Sequence, residues 1–181
     1  MKTHLALLRG INVSGNKMIK MDALKKALES IGFQSVETYI QSGNVFVNTE
    51  EESSAKVGFL IKQEIFKTFG HDVPIVVIGK SDLEACFTNN PFLKDSDVDL
   101  KKLYVSFLAS HLPENSMSQL NLNFIKPDLL ALDGNRIYIK YEISPAKTRL
   151  DNQWIEKKLN VASTIRNWNT VSQLLKMYEE K

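Results

Sequence analysis

The sequence predicts an α+β fold made of two β-α-β-β-α-β subdomains, the second modified, packed together. Three observations carry this reading. The first half orders strand-length apolar runs and helical periodicities in that sequence; a similar order returns after residue 100; and the stretch between them is too poor in Gly and Pro for a long flexible linker. The expected parts are 1–89, a connector over 90–100, and 101–181 with a C-terminal helix. With 181 residues, 43% of them hydrophobic, the chain can bury a substantial core.

"THLALLR" (3–9) is a short apolar run of buried-strand type. "MDALKKALESIG" sets Ala23, Leu24, Ala27, Leu28 and Ile31 at helical spacing and stops at Gly32, a C-terminal signal. "SVETYIQ" alternates and "NVFVNT" follows after Ser42-Gly43, which predicts a hairpin with a two-residue turn. "SSAKVGFLIKQEIFKTFG" places Val57, Leu60, Ile61, Ile65 and Phe69 on one helical face, with Ser53 or Ser54 as N-cap. "DVPIVVIG" is a strand whose Pro74 points to an edge or a first position. This element order is the ferredoxin-like one.

The helix "SDLEACFTN" and a polar connector follow, and then the pattern partly repeats. "KLYVSFLA" is a strand, 113–123 a weak helix or loop, and "DLLALD" with "RIYIKYE" a hairpin across Asp133-Gly134-Asn135. "LDNQWIEKKLN" is a helix. "NWNTVSQLLKMYEE" is the last one, with Trp168, Val171, Leu175 and Tyr178 in register.

Composition narrows the classes. No run approaches the length of a membrane helix, so no membrane partner is expected. The start "MKTHLALLRG" has a short apolar stretch broken by Arg9, unlike a signal peptide, and a cytoplasmic location is expected. A lone cysteine, Cys86, suits a reducing compartment and sits on the apolar side of its helix, so it is expected buried rather than nucleophilic. His4, His71 and His111 share no ligand spacing with Cys86, so neither metal nor cofactor is expected. Net charge is only +2, but Lys and Arg concentrate in 1–26 and 136–166. Such charge is most often a solvated surface. It leaves nucleic acid as the weaker partner, not an excluded one. Nothing in the chain sets an oligomeric state.

The stretch "LLRGINVSGNKM" comes close to a phosphate-binding P-loop, G-x-x-x-x-G-K-[S/T]. Asn16 intervenes before Lys17, Met18 stands where a hydroxyl belongs, and several residues separate Gly15 from the helix start near Met21. It is not a P-loop. Topology supplies another site. In a split β-α-β the first two strands end at the same sheet edge, so the loop 10–20 and the turn 41–44 share one rim. Arg9, Gly10, Asn12, Lys17, Gln41, Ser42 and Asn44 would line it, with backbone N–H groups freed by Gly10 and Gly15 as an anion nest. Turn statistics favour a plainer reading, in which the glycines make turns and the asparagines cap them.

Three segments, "LLRGINVSGNK", "TYIQSGNVFV" and "STIRNWNTVSQLL", together resemble the bacterial domain-of-unknown-function family 1697, across essentially the whole chain. The resemblance implies an α+β fold of two ferredoxin-like subdomains, and it implies no activity. The first loop of that family often carries two glycines, one of which is Ser14 here.

In the third segment Trp168, Val171, Leu174 and Leu175 read as core, Asn167 or Thr164 as a cap, and Asn169 as a first-turn residue. Arg166 beside a helix start either serves an anion, together with Asn167 and Asn169 in a cleft shared with Arg9 and Asn44, or pairs with an acid. The leading expectation is a module binding an anionic small molecule, a phosphate compound or nucleotide. An acylphosphatase-like enzyme using Arg9 and Asn44 is one alternative, and an interaction protein without a small ligand is another. No nucleophile–base or paired-carboxylate pattern is readable, so no catalytic residue is assigned. RNA binding across the sheet would need exposed aromatics on the first and third strands, and Phe46 alone reads as core.

Overall fold

The computed structural model describes residues 1–181, the side chain of Glu114 excepted. It is a mixed α+β protein with two four-stranded antiparallel sheets and five α-helices. The chain divides into two compact units, Met1–Gly79 and Lys80–Lys181.

The first unit runs β1 (Lys2–Leu8), α1 (Met21–Ser30), β2 (Gln34–Tyr39), β3 (Asn44–Thr49), α2 (Ser54–Phe69) and β4 (Ile75–Ile78). Its sheet order is β2-β3-β1-β4. Leu7 lies opposite Asn44 and Leu5 opposite both Phe46 and Ile78. Because side chains alternate along a strand, Ala6 and Leu8 of β1 share a face with Val45 and Val47 of β3. That face meets Leu24 and Leu28 of α1 and Val57, Ile61 and Ile65 of α2 in one buried core. Ser53 caps α2, its side chain accepting from the Lys56 N–H, and Gly70 ends the helix at φ 71°. Pro74 stands just before β4, an edge strand, where its missing N–H breaks no ladder bond.

The expected two-residue hairpin turn is four residues long, Ile40–Gly43. Asn44 explains the difference. Its side-chain amide donates to the Tyr39 carbonyl (3.0 Å) and to Ser42 Oγ (3.0 Å), closing a wider turn than the strand pattern implies.

The second unit opens with α3 (Lys80–Thr88), then β5 (Leu103–Leu108), β6 (Leu129–Asp133), β7 (Arg136–Lys140), α4 (Asn152–Leu159), β8 (Ser163–Asn167) and α5 (Trp168–Glu179). The sheet order β6-β7-β5-β8 repeats that of the first unit. The weak segment at 113–123 is a single 3₁₀ stretch, Glu114–Gln119, where the first unit has α1. β8 was not expected from the sequence. Five residues of mixed polarity lead straight into α5, and only pairing with β5 defines them as a strand. Ile137, Ile139, Ile155, Leu159 and Val161 form this unit's core. Asp151 caps α4 and Asn167 caps α5. Among the described residues, no helix is long and apolar enough to cross a membrane.

Candidate anion-binding rim

The loop after β1 and the β2–β3 turn do meet. The Leu8 N–H donates to the Gly43 carbonyl (2.7 Å), and the Asn12 side-chain amide donates to the Gln41 carbonyl (2.9 Å). Asn12 also accepts from the Ile19 N–H (2.8 Å) and donates to the Ile19 carbonyl (2.9 Å). One asparagine therefore closes the loop on itself and ties it to the turn. The loop's backbone suits this: Gly10, Asn12, Ser14, Gly15 and Lys17 all have φ between 45° and 77°, so successive N–H groups turn in different directions.

Several residues expected at a ligand also serve the fold. Asn44 is fully buried and bonded within the hairpin. The Lys17 ammonium donates to the Asp72 carbonyl, and the Arg9 N–H donates to the Pro74 carbonyl (3.0 Å), so both anchor the segment leading into β4. Gly10 and Gln41 are exposed, while Arg9 and Ser42 are half-buried. The capping role assigned to the asparagines by turn chemistry is thus real at Asn12 and Asn44.

The start of α1 was overlooked in the sequence. Lys20 occupies its N-cap with extended backbone and makes no side-chain cap, so the first-turn N–H groups keep their hydrogen-bonding capacity. A shallow hollow of about 230 Å³ lies at this helix start, lined by Lys20, Met21, Asp22 and Gln41. The signal was present: a lysine stands where Ser, Thr, Asp or Asn would ordinarily cap a helix.

In the second unit, Arg166 lies in β8 rather than at a helix end, and the helix begins two residues later. It is 8% exposed. Its guanidinium donates to Thr164 Oγ1 (2.7 Å) and to the Ile165 carbonyl (3.0 Å), and burial pulls its pKa down to about 10. Asn167 uses its side chain as the α5 cap, accepting from the Thr170 N–H (2.8 Å). Asn169 is exposed in the first turn.

A polar cluster that sequence reading did not single out braces α3 to the β6–β7 hairpin. Arg136 donates to Asp82 (3.0 Å) and Asp133 (3.1 Å), while the Tyr138 hydroxyl lies 2.8 Å from Asp133 and 3.1 Å from the Ala85 carbonyl. Burial alone would favour a protonated Asp133, yet hydrogen bonds from Tyr138, Asn89 and Arg136 hold its pKa below the usual value. Every carboxylate here is engaged by the brace, which gives the cluster a structural role.

Residues 1–138 match the family described as "Protein of unknown function (DUF1697)". The first two motifs lie inside that match, and the third, at 163–175, lies beyond it. No curated protein matches the chain. Among solved structures, the conserved bacterial protein SP0830 from Streptococcus pneumoniae superimposes with a TM-score of 0.72 at 24% identity, over 97% of this chain and 98% of that one. The likeness is one of fold.

Proposed function

The chain belongs to the DUF1697 family of proteins of unknown function, and from that premise we propose that its first unit binds a phosphate-bearing small molecule, a sugar phosphate or nucleotide, at the start of α1. The observation that supports this is the uncapped N-terminus of α1 opening on the hollow beside Gln41. Free N–H groups at the positive end of a ten-residue helix, with a lysine at the N-cap position, suit an anion. Asp22 lines the same hollow, which disfavours a bare multiply charged ion. It favours a ligand that sets its phosphate on the N–H groups and offers a hydroxyl to the carboxylate. Arg9, Gly10, Asn12, Lys17, Gln41, Ser42 and Asn44 then act as the scaffold and walls of the rim.

The acylphosphatase-like alternative needs Asn44 to orient a water, and Asn44 is buried with its amide bonded to Tyr39 and Ser42. Binding is therefore the better-supported reading. It includes a cytoplasmic location, consistent with a single buried cysteine, and a description of both units as ferredoxin-like subdomains, supported by their matching sheet orders.

The test is an NMR titration with inorganic phosphate, ribose 5-phosphate, adenosine monophosphate and acetyl phosphate. Amide shifts confined to residues 20–23 and 41–43 are expected with the sugar phosphates. Lys20→Ala should weaken them at least ~10-fold, the worth of a charge-assisted hydrogen bond. Absence of shifts at these residues in the millimolar range overturns the reading.

A further inference from the structure

The second unit carries an aromatic and basic surface of its own. The Phe124 and Trp154 rings lie nearly parallel, 6° apart in plane and 6.3 Å between centroids, and the Arg149 guanidinium stands over Phe124 at 5.2 Å. Trp154 packs on the core of this unit, which anchors the pair, whereas Phe124 is 42% exposed. Lys157 and Lys158 follow Trp154 by three and four residues on α4, so they border it on the same side of the helix, and both are exposed. Lys126, also exposed, follows Phe124 by two residues.

The charge here is unbalanced. Among the described residues, Lys126, Arg149, Lys157 and Lys158 form no ion pair. The acids near them in the chain are turned to backbone instead. Asp128 is buried and accepts from the Glu142 N–H (2.8 Å), Asp151 accepts from the Trp154 N–H (2.8 Å), and Glu156 accepts from the Ser163 N–H (2.9 Å). What reaches the surface is a set of unanswered cations around a pair of flat rings.

We propose that this surface binds single-stranded nucleic acid, independently of any ligand of the first unit. A base stacks on the exposed Phe124 ring, and Arg149, Lys157, Lys158 and Lys126 attract the phosphates that flank it. Flat ring faces take planar groups, and a base offers its own face only where the strand is unpaired. A guanidinium suits both parts of such a ligand, since it lies on ring faces and binds phosphate. Cations spread over two loops and a helix match a chain of phosphates better than a single one. A lipid surface takes apolar side chains that project into it. Here Trp154 is packed on the core and Phe124 lies parallel to it.

Fluorescence anisotropy of a labelled oligothymidylate of about ten nucleotides, titrated with the full chain, tests the proposal. Binding is expected at about 1–100 µM in low salt and should weaken as salt rises. Phe124→Ala alters an exposed side chain and should weaken binding at least ~5-fold with an unchanged circular dichroism spectrum. Lys157→Ala combined with Lys158→Ala should flatten the salt dependence, and Lys26→Ala on the exposed side of α1 should change neither quantity. Trp154 gives a second readout. The oligonucleotide should quench its emission, while Trp168 is only 5% exposed, so Trp154→Phe should abolish the quench and keep the binding. No anisotropy change up to about 100 µM overturns the proposal. So does binding that Phe124→Ala leaves intact or that a duplex matches, which would show attraction to a polyanion only. Capture by phosphatidylserine vesicles in place of the oligonucleotide overturns it in favour of a membrane surface.

Discussion

Replacing Gly43 by alanine measures how tightly the rim is built. Gly43 and Gly15 share the same backbone angle, φ 77°, in the left-handed region that L-residues disfavour. A Cβ on Gly15 would meet nothing within 4 Å, whereas one on Gly43 would lie 2.6 Å from Leu8 Cβ and 2.9 Å from Ile11 Cδ1. Leu8 Cβ is fixed to a central strand, and Ile11 is itself 2% exposed, so neither has room to retreat. The conformational penalty common to both positions is ~1–2 kcal/mol. Overpacking at Gly43 adds ~1–3 kcal/mol. Gly15→Ala should therefore cost ~1–2 kcal/mol and Gly43→Ala ~2–5 kcal/mol, read as the change in urea-unfolding free energy. Equal losses for the two variants would refute the reasoning, because they would show that the turn can withdraw from β1 and that the close approach is not a constraint.

Cys86, fully buried with its thiol pushed up to about 12 by burial, should react with Ellman's reagent in the folded protein only at the rate of opening, and at once in denaturant. His4 is 1% exposed: its Nε2–H donates to the Glu51 carbonyl (2.9 Å), and Nδ1 lies 3.4 Å from Ser54 Oγ. Burial lowers its pKa, so the unfolded chain binds the proton more readily. Stability is then full above the unfolded value near 6.5 and falls as pH drops below it, and His4→Gln should flatten the pH 5–7 part of that profile. Arg136→Ala should cost about 3 kcal/mol by removing the cation that Asp82 and Asp133 share, and the loss should shrink when Asp133→Asn is added in a double-mutant cycle.

The sequence by itself determined the elements whose signal is local. Helical spacing in α1, α2 and α5, a serine cap at Ser53 or Ser54, the Gly32 stop and the alternating first hairpin are written in residues that act on near neighbours, and they appear where expected, with Ser53 as the cap. The meeting of loop 10–20 with turn 41–44 was also legible, because element order alone sends the first two strands to one edge. What tertiary structure decided is where polar side chains are used. Asn12, Asn44 and Lys17 look equally able to face a ligand or the backbone, and only folding brings Gln41, Tyr39 and Asp72 within their reach. β8 and its buried Arg166 needed pairing with β5, a partner about sixty residues away, to exist as a strand at all. A helix can be read from one segment because its bonds close within it. A strand's partner and a hydrogen bond's acceptor come from distant chain, so they are settled only when the chain has folded.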